Sequence, residues 1–247
     1  MAGKYDGTGA NSPQWWPSRH GAADELGGSN ELTPERTMEA LRLPKQGRVI
    51  ELAQTLEIGV PAYPPRSFHQ VVLAHQTMHP LAPEGGDMVG FEEQVTQTYH
   101  VGCHLDGLGH VGIAGRFYNG VHHEEFYDAR GLRKFGMENV RPWVNRGVCL
   151  DIAGLEGTDV LPGGHAITPE HLEAACEKQG VEVRAGDSVL LHTGWASKWM
   201  QGPEYETNEP GATADACRWL NDRHVSMVGA DNWAFEVLPV EDPAQQF

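Results

Sequence analysis

Basic residues are scarce in this chain: 18 Lys and Arg stand against 34 Asp and Glu, for a formal charge of −16. No run of Lys and Arg makes a local basic patch, so nucleic acid and an anionic membrane surface are both excluded as natural partners. Long apolar runs are missing too. No window approaches the roughly 18 apolar residues of a membrane span, and the N-terminus, MAGKYDGTGANSPQWWPSRHG, lacks the apolar core of a signal peptide. The four cysteines, Cys103, Cys149, Cys176 and Cys217, form no C-x-x-C pair, which excludes a zinc ribbon and a thioredoxin-like motif. Scattered thiols in a chain this long point to a reducing compartment, and the expected location is cytoplasmic. No internal repeat is present. What remains is an ordinary globular composition: 40% hydrophobic and 21% charged residues in 247 are enough for a real core.

Local signals divide the chain. Residues 1–47 read as an N-terminal arm with one short helix: Thr33-Pro34-Glu35 supplies an N-cap, a first-turn proline and an early acid, Met38 and Leu41 an apolar face, and Pro44 a stop. Trp15 and Trp16 suit an arm that docks on a body, and are expected to cover the site of a neighbouring subunit. Residues 48–247 read as one domain. Strand composition recurs at 49–56, 71–74 and 95–101, with 81–87 as a loop broken by Pro and Gly. Further on, strands are expected at 148–152, 188–192 and 225–229. Helices are expected from Thr168-Pro169-Glu170 to Gly180, and over 213–223 with Ala216, Trp219 and Leu220 on one face. Strand, helix, strand, helix, strand implies an α/β layer with a parallel component.

Chemistry concentrates in Thr98-Tyr99-His100-Val101-Gly102-Cys103-His104-Leu105-Asp106-Gly107-Leu108-Gly109-His110, where three histidines and one aspartate fall within eleven residues. In an extended chain alternate side chains share a face, so His100, His104 and Asp106 point the same way. Gly102 between them leaves room for an ion beside the backbone. Imidazole with carboxylate suits Zn²⁺, Mn²⁺ or Fe²⁺, and three protein ligands leave positions for water and substrate. Gly107 and Gly109 predict a turn before His110, which is then placed beside the ion as a general base or acid. Burying these groups with no ion would be costly. A rival reading takes His104-Leu105-Asp106 as the H-x-D of an iron(II) oxygenase, with a second ligand from His165, His171, His192 or His224. It leaves His100 and His110 unexplained.

These residues resemble the cyclase-like metal-dependent hydrolase family that includes bacterial kynurenine formamidase and isatin hydrolase. The family pattern H-x-G-T-H-x-D-x-(P/L)-x-H reads here His100, Gly102, Cys103, His104, Asp106, Leu108, His110. The likeness extends to Phe117-Tyr118-Asn119-Gly120 and to residues 147–154, 186–195 and 229–233. It implies the family's swivelling β/β/α fold, with a mixed sheet and flanking helices, assembled as a homodimer or homotetramer. It also implies His100, His104 and Asp106 as ligands of Mn²⁺ or Zn²⁺ and His110 as catalytic acid/base. Cys103 replaces the usual Thr and is expected to face away from the metal as a packing residue. The chain ends at Gln246-Phe247, where relatives continue with a segment carrying a further His and a carboxylate or amide, so that segment is expected to be missing, and the number of metals, one or two, is left open.

The expected function is hydrolysis of a small amide, formamide or lactam, with a small-molecule substrate. The alternatives are a non-catalytic metal-binding relative and a lyase or isomerase using the same ion. Trp195 and Trp233 are candidates for stacking on an aromatic substrate, with a core role as the alternative. Asp231 reads either as a partner of a metal-bound imidazole or as a turn cap. His122-His123 reads as surface.

Overall fold

The computed structural model describes residues 16–73 and 90–239. The expected loop at 81–87, Trp15 and the last residues lie outside them. In chain order the elements are α1 (Pro34–Ala40), β1 (Phe68–Leu73), β2 (Glu92–Gln97), α2 (His123–Phe126), β3 (Tyr127–Asp128), β4 (Gly131–Leu132), β5 (Gly147–Asp151), α3 (Ile152–Leu155), β6 (Ala166–Ile167), α4 (Pro169–Gln179), β7 (Ser188–His192), β8 (Gly211–Ala212), α5 (Ala214–Asp222) and β9 (Met227–Ala230).

The C-terminal half holds the core. β5, β7 and β9 form a parallel sheet in the order β5-β7-β9, with Cys149 opposite Leu190 and Asp151 opposite His192. Period-two alternation sends Val148, Leu150, Val189 and Leu191 to one face, where they pack against Leu172 and Ala175 of α4 and Ala216 and Leu220 of α5. Both helices start as their sequences dictate. The Thr168 hydroxyl and the His171 ring close a reciprocal cap on α4, and the Thr213 side chain accepts from the Ala216 amide at the start of α5. Gly180 ends α4 at φ 64°, a conformation that favours glycine. β6 and β8 pair in parallel nearby, while β1–β2 and β3–β4 are antiparallel ribbons. The mixed α/β architecture read from the sequence is the one the chain adopts.

The N-terminal half departs from expectation in two places. Residues 49–56 are not a strand: the segment is irregular and exposed, with Val49 at 97% exposure. Strand composition makes a strand only beside a partner edge, and none lies against it among the described residues. α1 forms where the Thr33 cap predicts, but Met38 and Leu41 on its apolar face remain exposed. Trp16 packs against its own chain. Its ring lies where a Cβ on Gly120 would sit, 2.7 Å away, and the Arg116 guanidinium stands 5.6 Å over it. The Phe117–Gly120 stretch is therefore an anchor for the arm. Asn119 accepts from the Ser18 amide at 2.6 Å and donates to the carbonyls of Gly21 and Asp24, and the Tyr118 hydroxyl donates to Asp24 at 2.7 Å.

Candidate metal centre

β2 ends at Gln97, and residues 98–107 leave the ribbon as irregular chain. Strand alternation therefore does not bring the histidines together, contrary to the argument from spacing. The bend at Gly102 does: its φ of 68° lies in the left-handed region, where a side chain is strained. Nor is the missing Cβ there to make room for an ion. A Cβ on Gly102 would come within 2.5 Å of Leu56 Cδ2, so the glycine admits Leu56. The Gly102 carbonyl, an obligate acceptor, takes a hydrogen bond from His104 Nδ1 at 2.7 Å. That places the Nδ1 proton and turns Nε2 of His104 inward.

The inward atoms converge on one oxygen. His100 Nε2 and His104 Nε2 each lie 3.3 Å from Asp106 Oδ1. The turn expected before His110 is present, closed by His110 N–H donating to the Gly107 carbonyl at 3.0 Å. It returns the His110 ring to stack on His100 with centroids 3.6 Å apart and planes 16° apart. Ligand-capable atoms of His100, Asp106 and His110 all lie within 4.8 Å of one another. The four residues singled out in the sequence thus form one cluster. Its donor set suits a divalent cation: imidazole nitrogens and a carboxylate oxygen converge at these separations.

Electrostatics within the cluster follow from these contacts. The hydrogen bond from His104 holds the Asp106 carboxyl below its ordinary range, and the same contact raises His104. Burial lowers His100, with the nearby His110 charge acting the same way. Burial also lowers His110. Stacked imidazoles cannot both be charged without repulsion.

His104, Asp106 and His110 open into a cleft of about 1090 Å³ whose lining also includes Tyr63, Arg66 and Trp233. Trp233, a candidate for stacking on a substrate, lines this cleft. Trp195 does not: it is 1% exposed, its indole N–H donates to the Tyr205 carbonyl at 3.1 Å, and it fills the core. Cys103 is exposed rather than packed. Asp231 is a cap, accepting from the Thr193 amide and hydroxyl and the Gly194 amide at 2.6–2.8 Å. The histidines of the iron-oxygenase reading are engaged elsewhere, His192 with Asp151, His224 with Glu31, and His171 beside Glu156 and His165. His122 faces Glu124 at the surface.

Two contributors were not singled out in the sequence. Arg66 follows a proline pair in a segment that reads only as loop. Glu209, between Asn208 and Pro210, looks like a surface acid yet is 0% exposed. Its carboxyl oxygens accept from the backbone amides of Trp233 at 2.7 Å and Ala234 at 2.5 Å, fixing the loop that carries Trp233. Burial pushes its pKa up to about 8.

Comparison with known proteins bears on the fold and the family. A solved structure described as a novel cyclase shares 28% identity with this chain. The match covers 89% of this chain and 76% of that one, at a TM-score of 0.80. Isatin hydrolase A from Ralstonia solanacearum has the same fold at 21% identity, covering 80% of this chain and 73% of its own, at a TM-score of 0.55. Isatin hydrolase A from Labrenzia aggregata, bound to benzyl benzoate, matches at 19% identity over 77% and 70%, at a TM-score of 0.52. No curated protein matches in sequence. The family model Cyclase, described as "Putative cyclase", matches residues 50–237, a span that contains the whole histidine cluster and most of the chain, so this protein belongs to the Cyclase family.

Proposed function

We propose that this protein is a metal-dependent hydrolase of a small amide, formamide or lactam. The observation that carries the reading is the convergence of His100 and His104 on Asp106 with His110 stacked beside them. His100, His104 and Asp106 would hold Mn²⁺ or Zn²⁺. Such an ion, when bound, supplies a water of lowered pKa and polarises a carbonyl.

The side chains do the rest. Asp106 and the Gly102 carbonyl fix the ring of His104. His110 takes a proton from the attacking water as its oxygen adds to the carbonyl carbon. It returns that proton to the nitrogen as the C–N bond breaks, giving a carboxylic acid and an amine. A homodimer or homotetramer is part of the proposal. It is supported by the apolar side chains left open on the β1–β2 ribbon, among them Val71, Val72 and Val95. No helix among the described residues is long and apolar enough to cross a membrane, and we place the protein in the cytoplasm.

The test is His110→Ala. The variant should bind metal to the wild-type stoichiometry and lose 10²–10⁴-fold in turnover, roughly the contribution of a positioned acid/base. Wild-type product formed in ¹⁸O water should carry the label. Full activity in the variant would sink the mechanism, and unlabelled product would turn the assignment to a lyase or isomerase.

A further inference from the structure

Arg66 stands out among the charged groups of the cleft. In a chain with 34 acidic residues and 18 basic ones, arginines such as Arg36, Arg133 and Arg146 sit in ion pairs. Arg66 lines the cleft together with His104, Asp106 and His110, and no carboxylate among the described residues pairs with its guanidinium. Instead its central carbon lies 5.0 Å over the Trp233 ring.

The wall around it is fixed from two sides. Arg66 N–H donates to the Tyr63 carbonyl at 2.9 Å, closing a tight turn through Pro64 and Pro65. That turn brings the Tyr63 ring to the same indole, 4.4 Å between centroids. From the other side, Glu209 holds the backbone of Trp233 and Ala234. A guanidinium resting on an aromatic face keeps its in-plane N–H groups available, and that edge matches a carboxylate or another planar oxyanion. A cation held against an aromatic ring, facing a cleft and with no carboxylate partner among the described residues, is a poor structural device but a good anchor for an anion. Arg66 shares its cleft with His104, Asp106 and His110, so an anchored group enters the same cavity as the reaction centre.

From this arrangement we infer that the substrate is an aromatic anion: an aryl amide carrying a second, negatively charged group, with the ring against Tyr63 and Trp233 and the charge on Arg66. The inference rests on the hydrolase reading for the word substrate, but the anion site can be tested without turnover.

The probes are benzenesulfonate and its neutral relative methyl phenyl sulfone. A sulfonate is a weak metal ligand and stays charged at every working pH. Calorimetric titration of the metal-loaded protein should show benzenesulfonate binding on the order of tenfold tighter, the size of one charge-assisted hydrogen bond. Arg66→Gln should bind the two alike, and Arg66→Lys should keep part of the preference. Circular dichroism and metal content of each variant check that fold and centre are intact. Equal binding of the probes by the wild type overturns the inference, as does a preference that survives Arg66→Gln. A variant that loses affinity for both probes equally makes Arg66 a packing residue and overturns it as well. Turnover of neutral amides with no sulfonate preference would leave the hydrolase standing and remove the anion site. Sulfonate preference with no turnover of any amide would do the reverse.

Discussion

Glu209 makes stability depend on pH in a direction that can be derived. Its carboxyl is wholly buried, and burial raises its pKa from the ordinary 4.5 to about 8. The folded protein therefore binds a proton that the unfolded chain releases above pH 4.5. The stabilisation this gives is fully present below about pH 4.5 and is lost as pH rises to about 8. At 1.36 kcal/mol per unit of pKa, the full loss is on the order of 5 kcal/mol, comparable with the whole stability of a small domain. Two backbone N–H donors on the carboxyl work against burial, so this figure is an upper bound. Glu209→Gln is neutral at every pH. It keeps one acceptor for the amides of Trp233 and Ala234 and sets an NH₂ against the other, at a fixed cost of about 1–3 kcal/mol. Urea denaturation of both proteins from pH 5 to pH 9 isolates the effect. The advantage of wild type over the variant should shrink by several kcal/mol across that range and reverse sign near its top. An advantage that is constant from pH 5 to pH 9 would refute the reasoning, because it would mean that Glu209 does not change its charge on folding.

Two further outcomes follow from the same structure. Gly102→Ala should cost about 1–2 kcal/mol for the left-handed backbone alone. It should also weaken metal binding, because His100 and His104 flank the bend and its carbonyl fixes the His104 ring. The substitution Leu56→Ala relieves the clash at 2.5 Å but not the backbone strain, so the double variant should recover only part of the affinity in a metal titration, and full recovery would locate the whole cost in Leu56. On the β1–β2 ribbon, Val71→Lys with Val95→Lys should reduce the sedimenting mass to that of one chain without changing the fold, and an unchanged mass would move the subunit interface elsewhere.

Much of the candidate site was legible because its four residues lie within one short stretch. Imidazole and carboxylate so close together, interleaved with glycines, have few uses other than holding a cation. The way they converge differs from what their spacing implies. Alternation in a strand would have been sufficient, but the ribbon stops at Gln97 and a left-handed glycine does the work instead. Trp195 and Trp233 show the opposite limit. Both follow strands of the parallel sheet and both looked equally able to meet a substrate. The Tyr205 carbonyl draws Trp195 into the core, while the buried Glu209 holds Trp233 at the cleft. Neither partner could be identified from spacing.

The sequence by itself determined what depends on neighbours a few residues apart. That includes the caps at Thr33, Thr168 and Thr213, the αL end at Gly180, the alternating strands β5 and β7, the turn before His110 and the identity of the metal-capable cluster. Tertiary structure decided what depends on groups far apart in the chain. It left 49–56 without a strand partner among the described residues, gave the Phe117–Gly120 stretch to the arm, buried Trp195, raised the pKa of Glu209, and set Arg66 in the same cleft as His110. Local patterns encode hydrogen bonds within a turn or a pleat. Burial, desolvation and the sharing of one cavity by distant residues are properties of the packed chain, and no short window of sequence contains them.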